Sequence, residues 1–252
     1  MRERIVTLLG GSILEGPARR TLSAARALIP DALLSPAAVR GRDYDRMTLR
    51  IARMALADGG SAIDVGAHQG DILKSLVKMS PGPHWAFEPI PALAERLRRR
   101  FRAVTVGQVA LSDSSGEAWF RFLPGAAAYS SLLTRPEIED GHAVRRLAVQ
   151  VRTLDECIPE DGRVAFVKID VEGAEAAVLR GARHLLCRCQ PVTVFECASA
   201  KLPECVAALD GTGLHVSFLA DFLAGVQRPA GEVTRVGRER GEYYYVAARS
   251  TL

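Results

Sequence analysis

The chain has 252 residues, of which 48% are hydrophobic and 25% charged, enough for one full α/β domain with a sizeable core and a small appendage. Its formal net charge of +4 is mild: it permits anionic ligands but does not argue for a nucleic-acid partner, which calls for a clustered basic face, and none is expected. The cysteines Cys157, Cys187, Cys189, Cys197 and Cys205 are odd in number and follow no framework or zinc spacing, so a reduced, cytoplasmic setting is expected.

The N-terminal MRERIVTLLGGSIL carries Glu3 among its first residues, and Gly10 and Gly11 break its apolar run. It reads as neither a signal peptide nor a membrane span, which needs ~20 apolar residues. Residues 1–57 are expected to form a helical cap or dimerisation arm. Leu22, Ala25, Leu28 and Ile29 keep helical spacing up to Pro30, and Leu49, Ile51, Met54 and Ala55 repeat it.

From residue 58 to 252 strands and helices alternate. SAIDV is a strand, followed by a glycine turn and a helix with Ile72, Leu73, Leu76 and Val77 inward. HWAFE is the next strand, Pro91 opens a helix, and VTVGQVALS is a third strand region. Residues 116–154 read as a β-rich insertion containing AWFRFL and AVQVRTL. RVAFVKID is a strongly apolar strand, then a helix runs from Ala174 to about Leu186. PVTVFE and a helix over Leu202 to Leu209 follow, and HVSFL and YYYVAA close the sheet as an antiparallel hairpin pair. The pattern implies a doubly wound, mostly parallel α/β domain.

Three strand ends carry acids. Asp64 precedes a turn bracketed by Gly66 and Gly70, with Ala67 and His68 between them. Such a turn lets a ligand approach the backbone and offers free N–H groups. A dinucleotide fingerprint needs a middle glycine where His68 stands, and a pyrophosphate gains nothing beside Asp64. A ligand with an ammonium and a sulfonium, such as S-adenosylmethionine, fits better. Glu88 ends the next strand, where an acid can accept both ribose hydroxyls. Asp170 and Glu172 follow the strand that carries Lys168, and two nearby acids can serve as base, substrate clamp or metal site. A divalent metal is compatible with them and is not expected. Glu175 and Lys168 read as a surface ion pair. Glu196 ends the fifth strand and is a candidate for substrate binding, and His68 is a candidate base. The run Arg96, Arg98, Arg99, Arg100 and Arg102 reads as a solvated face.

The stretches AIDVGAHQG, FEPIP, VALSDSSG, YSSL, RTLDE, VKIDVEGAEAAVLRGA and FE resemble the FkbM family of methyltransferases over roughly residues 60–200. The resemblance implies a class I methyltransferase sheet and O-methylation of a sugar, polyketide or related metabolite. It implies that Asp64, Gly66, Ala67 and Gly70 hold the methionine end of the cofactor and Glu88 its ribose. Val109 and Ala110 then lie near the adenine, Ser131, with Ser130, touches the ligand from the insertion, and Asp170 and Glu172 stand beside the methyl group. Many members carry Asn where this chain has His68 and Val109. Other readings are an RNA methyltransferase, a nicotinamide oxidoreductase and a non-catalytic binding module. The acids at three strand ends argue against the last.

Overall fold

Strands that read as unbroken apolar runs must be covered on both faces. In the computed structural model, which describes residues 36–122 and 145–249, they form the middle of a seven-stranded sheet. Strands β1 (Ser61–Val65) and β2 (His84–Phe87) are buried at every position. Strands β7 (Val164–Ile169) and β8 (Val192–Glu196) are buried at all but one. These four and β3 (Val104–Gly107) pair in parallel. With β9 (His215–Phe218) and β10 (Tyr244–Ala248) the order is β3-β2-β1-β7-β8-β10-β9, and β10 runs antiparallel to both of its neighbours.

Helices cover both faces. On one, Ile51, Ala52 and Leu56, from α1 (Pro36–Ala55) and its end, pack with Leu76 of α2 (Leu73–Met79) against Phe166, Val194 and Val246. On the other, α5 (Glu175–Arg180), α6 (Arg183–Cys189), α7 (Leu202–Ala208) and α9 (Ala230–Arg240) bury Val178, Leu186, Cys205 and Val233 against Val167, Phe195 and Tyr245. Helix α3 (Pro91–Arg100) begins at Pro91 and buries Leu93, Ala94 and Leu97. No helix among the described residues is long and apolar enough to cross a membrane.

The described strands of the insertion, β5 (Gly116–Phe122) and β6 (Arg145–Arg152), join β4 (Ala110–Leu111) in a second sheet of order β4-β6-β5. Its inner residues Phe120, Val149 and Val151 pack on Ile90 and Leu93. A capping box of Thr153 and Glu156 then opens α4 (Leu154–Cys157).

The structure adds detail to this outline. The strand region VTVGQVALS holds two short strands that lie in different sheets. The helix expected over Ala174 to Leu186 breaks at Gly181, where a Cβ would lie 2.0 Å from the carbonyl oxygen of Ser112. The last two strands pair antiparallel as expected; they are joined through α8 (Leu219–Leu223) and α9, with β10 between β8 and β9. All five cysteines are free thiols. The helical spacing read over Leu22 to Ile29 lies outside the described residues.

Candidate active site

The order β3-β2-β1-β7-β8 reverses direction at β1 and β7, and connections leave these two strands to opposite sides. Open α/β sheets bind ligands in the crevice this makes beyond the carboxyl ends. Here it is a cavity of about 390 Å³.

The turn after β1 is built for close approach. Gly66 has φ +74°, and a Cβ there would lie 1.9 Å from the carbonyl oxygen of Asp170, so the turns after β1 and β7 touch backbone to backbone. The amides of Gly66 and Ala67 donate to the carbonyl of Phe87 at 3.0 and 3.1 Å. Gly70, φ +77°, packs against Phe101 and Leu97. His68 takes φ +48°, a left-handed conformation that His tolerates better than most residues. Its amide donates to Glu88 Oε2 at 2.9 Å.

Glu88 is 4% exposed, and the amide of Ile90 donates to its other oxygen at 3.0 Å. Burial pushes its carboxyl up to about 7, against the pull of these two donors. Each oxygen keeps a lone pair for a ligand. Asp64 is 1% exposed, and its Oδ1 accepts no hydrogen bond. Burial raises its pKa, and the Lys168 ammonium 3.6 Å away opposes the rise.

Lys168 ties the two turns together. It lies 3.0 Å from Asp170 Oδ2 and donates to the carbonyl of Gly66 at 3.4 Å. Burial disfavours its charge, yet Asp170 and Asp64 hold its pKa above the ordinary lysine value. The surface ion pair expected between Lys168 and Glu175 does not form. Both residues are buried, and Glu175 instead accepts from the amide of Gly173 at 2.7 Å, inside the second turn.

Glu172, φ +56°, and Gly173, φ +103°, bend the chain after β7. Carboxylate oxygens of Asp170, Glu172 and Glu196 come within 4.8 Å of one another. Burial, then the charge of Asp170, pushes the Glu196 carboxyl up to about 8, and Tyr244 hydrogen-bonds to it.

Asp64, Gly66, Ala67, His68 and Glu88 all line the cavity. So do Val109, Ala110, Asp170, Glu172 and Glu196. Gly70 stands behind them at the end of the turn, and Ser130 and Ser131 lie outside the described residues. Two lining residues carried no recognisable pattern. Asp45 arrives on α1, and Phe120 arrives on β5. The alternation of Ala118 and Phe120 marks an inward face but not what it faces. On α3, Arg99 pairs with the exposed Glu95 at 2.8 Å, as a solvated face would, while Arg100 donates to the carbonyl of Gln69 at 2.7 Å.

The methyltransferase FkbM domain family matches residues 64–215 of the chain. No curated protein matches it. The solved methyltransferase FkbM from Methylobacillus flagellatus KT is 16% identical with a TM-score of 0.47, over 75% of this chain and 44% of that one. The chain thus spans less than half the length of that relative. A sugar N-methyltransferase from Streptoalloteichus sp ATCC 53650 is 15% identical with a TM-score of 0.42, over 81% of this chain and 86% of that one. The 1,6-didemethyltoxoflavin-N1-methyltransferase of Burkholderia thailandensis is 15% identical with a TM-score of 0.39, over 96% and 93%.

Proposed function

Because the chain belongs to the FkbM methyltransferase family, we propose that it is an S-adenosylmethionine-dependent O-methyltransferase acting on a hydroxyl of a sugar or secondary metabolite. The observation that carries this reading is the convergence of acids from β1, β2 and β7 on one cavity. A wall of carboxylates favours a ligand that brings an ammonium and a sulfonium. A dinucleotide pyrophosphate there would add like charge.

When bound, S-adenosylmethionine supplies a methyl group on a sulfonium, whose carbon–sulfur bond breaks toward sulfur as a hydroxyl oxygen takes the methyl. In this reading Asp64, Gly66, Ala67 and Gly70 hold the methionine end, Glu88 accepts from the ribose hydroxyls, and Val109 and Ala110 flank the adenine. Ser131 contributes from the insertion. Asp170, held by Lys168 at 3.0 Å, orients the acceptor hydroxyl, and Glu172 takes its proton. His68 is the second candidate for the proton, and Glu196 binds the acceptor. Alignment of hydroxyl and methyl is the main contribution, worth up to ~7–11 kcal/mol in favourable systems. In this reading residues 58–252 form the catalytic domain, and the arm over 1–57 and the insertion over 116–154, much of which lie outside the described residues, set the choice of acceptor.

Calorimetry with S-adenosylhomocysteine and with NADH tests the reading. Binding of the former alone is expected. Binding of NADH without S-adenosylhomocysteine would overturn it.

A further inference from the structure

Three tyrosines join α1 to the start of β10. Tyr44 of α1 is 8% exposed. Its ring stacks on Tyr244 at 4.9 Å, with 21° between the planes, and meets Tyr243 edge-on at 4.7 Å. Tyr243 and Tyr244 pack edge to face at 5.4 Å, and the Tyr44 hydroxyl donates to Glu242. Such stacked and edge-on contacts are the favoured aromatic geometries, and each restricts the rings that make it. The ring of Tyr244 is therefore held from two sides, by its own strand's neighbour and by a helix from the N-terminal part of the chain.

Tyr244 stands directly opposite Glu196 in the antiparallel pair of β10 and β8, so the two side chains leave the same face of the sheet. The Tyr244 hydroxyl hydrogen-bonds to Glu196. Glu196 lines the cavity and Tyr244 does not, so the tyrosine reaches the acid from behind. Asp170, Glu172 and Lys168 face Glu196 from the end of β7, and Asp45 of α1 faces Tyr244. Burial holds the Tyr244 hydroxyl above the ordinary tyrosine value, so it stays a donor wherever Glu196 titrates. A strand end fixes the backbone of a glutamate but leaves its side-chain torsions free, and a donor whose own ring is packed removes that freedom. Resting on the reading that Glu196 binds the acceptor, we propose that Tyr244 is a positioning residue. Its hydroxyl sets the direction of the Glu196 carboxylate, and the stack with Tyr44 sets Tyr244, so α1 governs the acceptor end of the cavity through Tyr44, Tyr244 and Glu196.

The test is a pH titration of the glutamate carboxyls by NMR on the full chain, with Glu196→Gln assigning the signal of Glu196. In the wild type that carboxyl titrates at about 8. Tyr244→Phe keeps the ring and its stack and removes only the donor to the ionised carboxylate, so the midpoint should rise to about 9 or above. The same substitution is then made beside a second change at Tyr44. Tyr44→Phe keeps the stack and should leave the full rise. Tyr44→Leu removes the stack and should shrink the rise to less than about half, because the donor is already loose. Tyr44→Met takes its place if that variant does not fold, and S-adenosylhomocysteine affinity serves as the check on folding. An unchanged midpoint in Tyr244→Phe overturns the inference. So does a rise of equal size beside Tyr44 and beside Tyr44→Leu, which would show that α1 plays no part. Failure of the wild type to bind S-adenosylhomocysteine would instead count against the methyltransferase reading, and the titration would still decide whether Tyr44 and Tyr244 hold Glu196.

Discussion

The two edges of the central sheet handle buried polar groups in opposite ways. At the N-terminal edge, His84 is 3% exposed and closes its hydrogen bonds locally. Its Nδ1 accepts from the amide of Ala62 at 3.0 Å, which places the ring proton on Nε2, 2.8 Å from the carbonyl of Ser80. Ser80 Oγ in turn donates to the carbonyl of Gly60 at 2.6 Å. At the C-terminal edge, Lys168 stands between Asp64, 3.6 Å away, and Asp170, 3.0 Å away, and carboxylate oxygens of Asp170, Glu172 and Glu196 come within 4.8 Å of one another. The same strands thus end in a closed hydrogen-bond network on one side and in a group of neighbouring carboxylates on the other. Under the proposed function the first set serves stability and the second a ligand.

The largest expected effect lies at the open edge. Asp170→Asn keeps shape and removes charge, but it also takes away the counterion 3.0 Å from the buried Lys168, so some loss of melting temperature is expected. With the acceptor that the wild type methylates, kcat of the still-folded variant should fall by about 10²–10⁴ while cofactor affinity holds. Normal turnover in the folded variant would remove Asp170 from the chemistry and blur the contrast between the edges. At the closed edge the signs exchange. His84→Ala strands the amide of Ala62 and leaves a cavity, for a loss of ~2–4 kcal/mol. That corresponds to a fall in melting temperature of roughly 5–15 °C. S-adenosylhomocysteine affinity should change by less than about twofold, and a larger change would mean that the two edges are coupled.

Much of the open edge was legible because it is local. The apolar runs Ser61–Val65, His84–Phe87 and Val164–Ile169 can only be buried strands, and such strands deliver Asp64, Glu88 and Asp170 to one edge. Gly66 needs its positive φ and its contact with Asp170, and the motif around it carries that need in sequence. What was not legible depends on docking. Asp45 reaches the cavity only because α1 packs on the sheet through Ile51 and Ala52. The break at Gly181 reflects the backbone of Ser112, far away in sequence. Lys168 turns to Asp64 and Asp170 and not to Glu175, because Glu175 folds back on the amide of Gly173. The closed network of His84 gave no sequence signal, since a histidine opening a strand reads as polar punctuation.

The smallest expected effect tests whether the open edge trades stability for binding. Glu88 has an ordinary carboxyl value of 4.5 and is pushed up to about 7 in the folded protein by burial. A raised folded value means the folded state holds the proton more tightly than the unfolded chain. The stabilising contribution is therefore complete below about pH 4.5, declines as pH rises, and is gone above about 7. Its full size is about 3 kcal/mol. Glu196, raised to about 8, and Asp64, also raised, decline in the same direction, so wild-type melting temperature alone mixes them. The difference between wild type and Glu88→Gln isolates the share of Glu88. Glutamine does not titrate, but it keeps one acceptor oxygen for the two amides of His68 and Ile90, which costs ~1–3 kcal/mol. The variant should thus melt several degrees below wild type at pH 5 and close to it at pH 8. Binding should move the other way. Ribose hydroxyls donate best to an ionised carboxylate, so wild-type affinity for S-adenosylhomocysteine should rise through pH 7, and Glu88→Gln should bind about tenfold more weakly at pH 8. A melting difference that stays constant from pH 5 to 8 would show that Glu88 does not titrate in this window. The open edge would then owe nothing to it, and the contrast with the closed edge would rest on Asp64, Asp170, Glu172 and Glu196 alone.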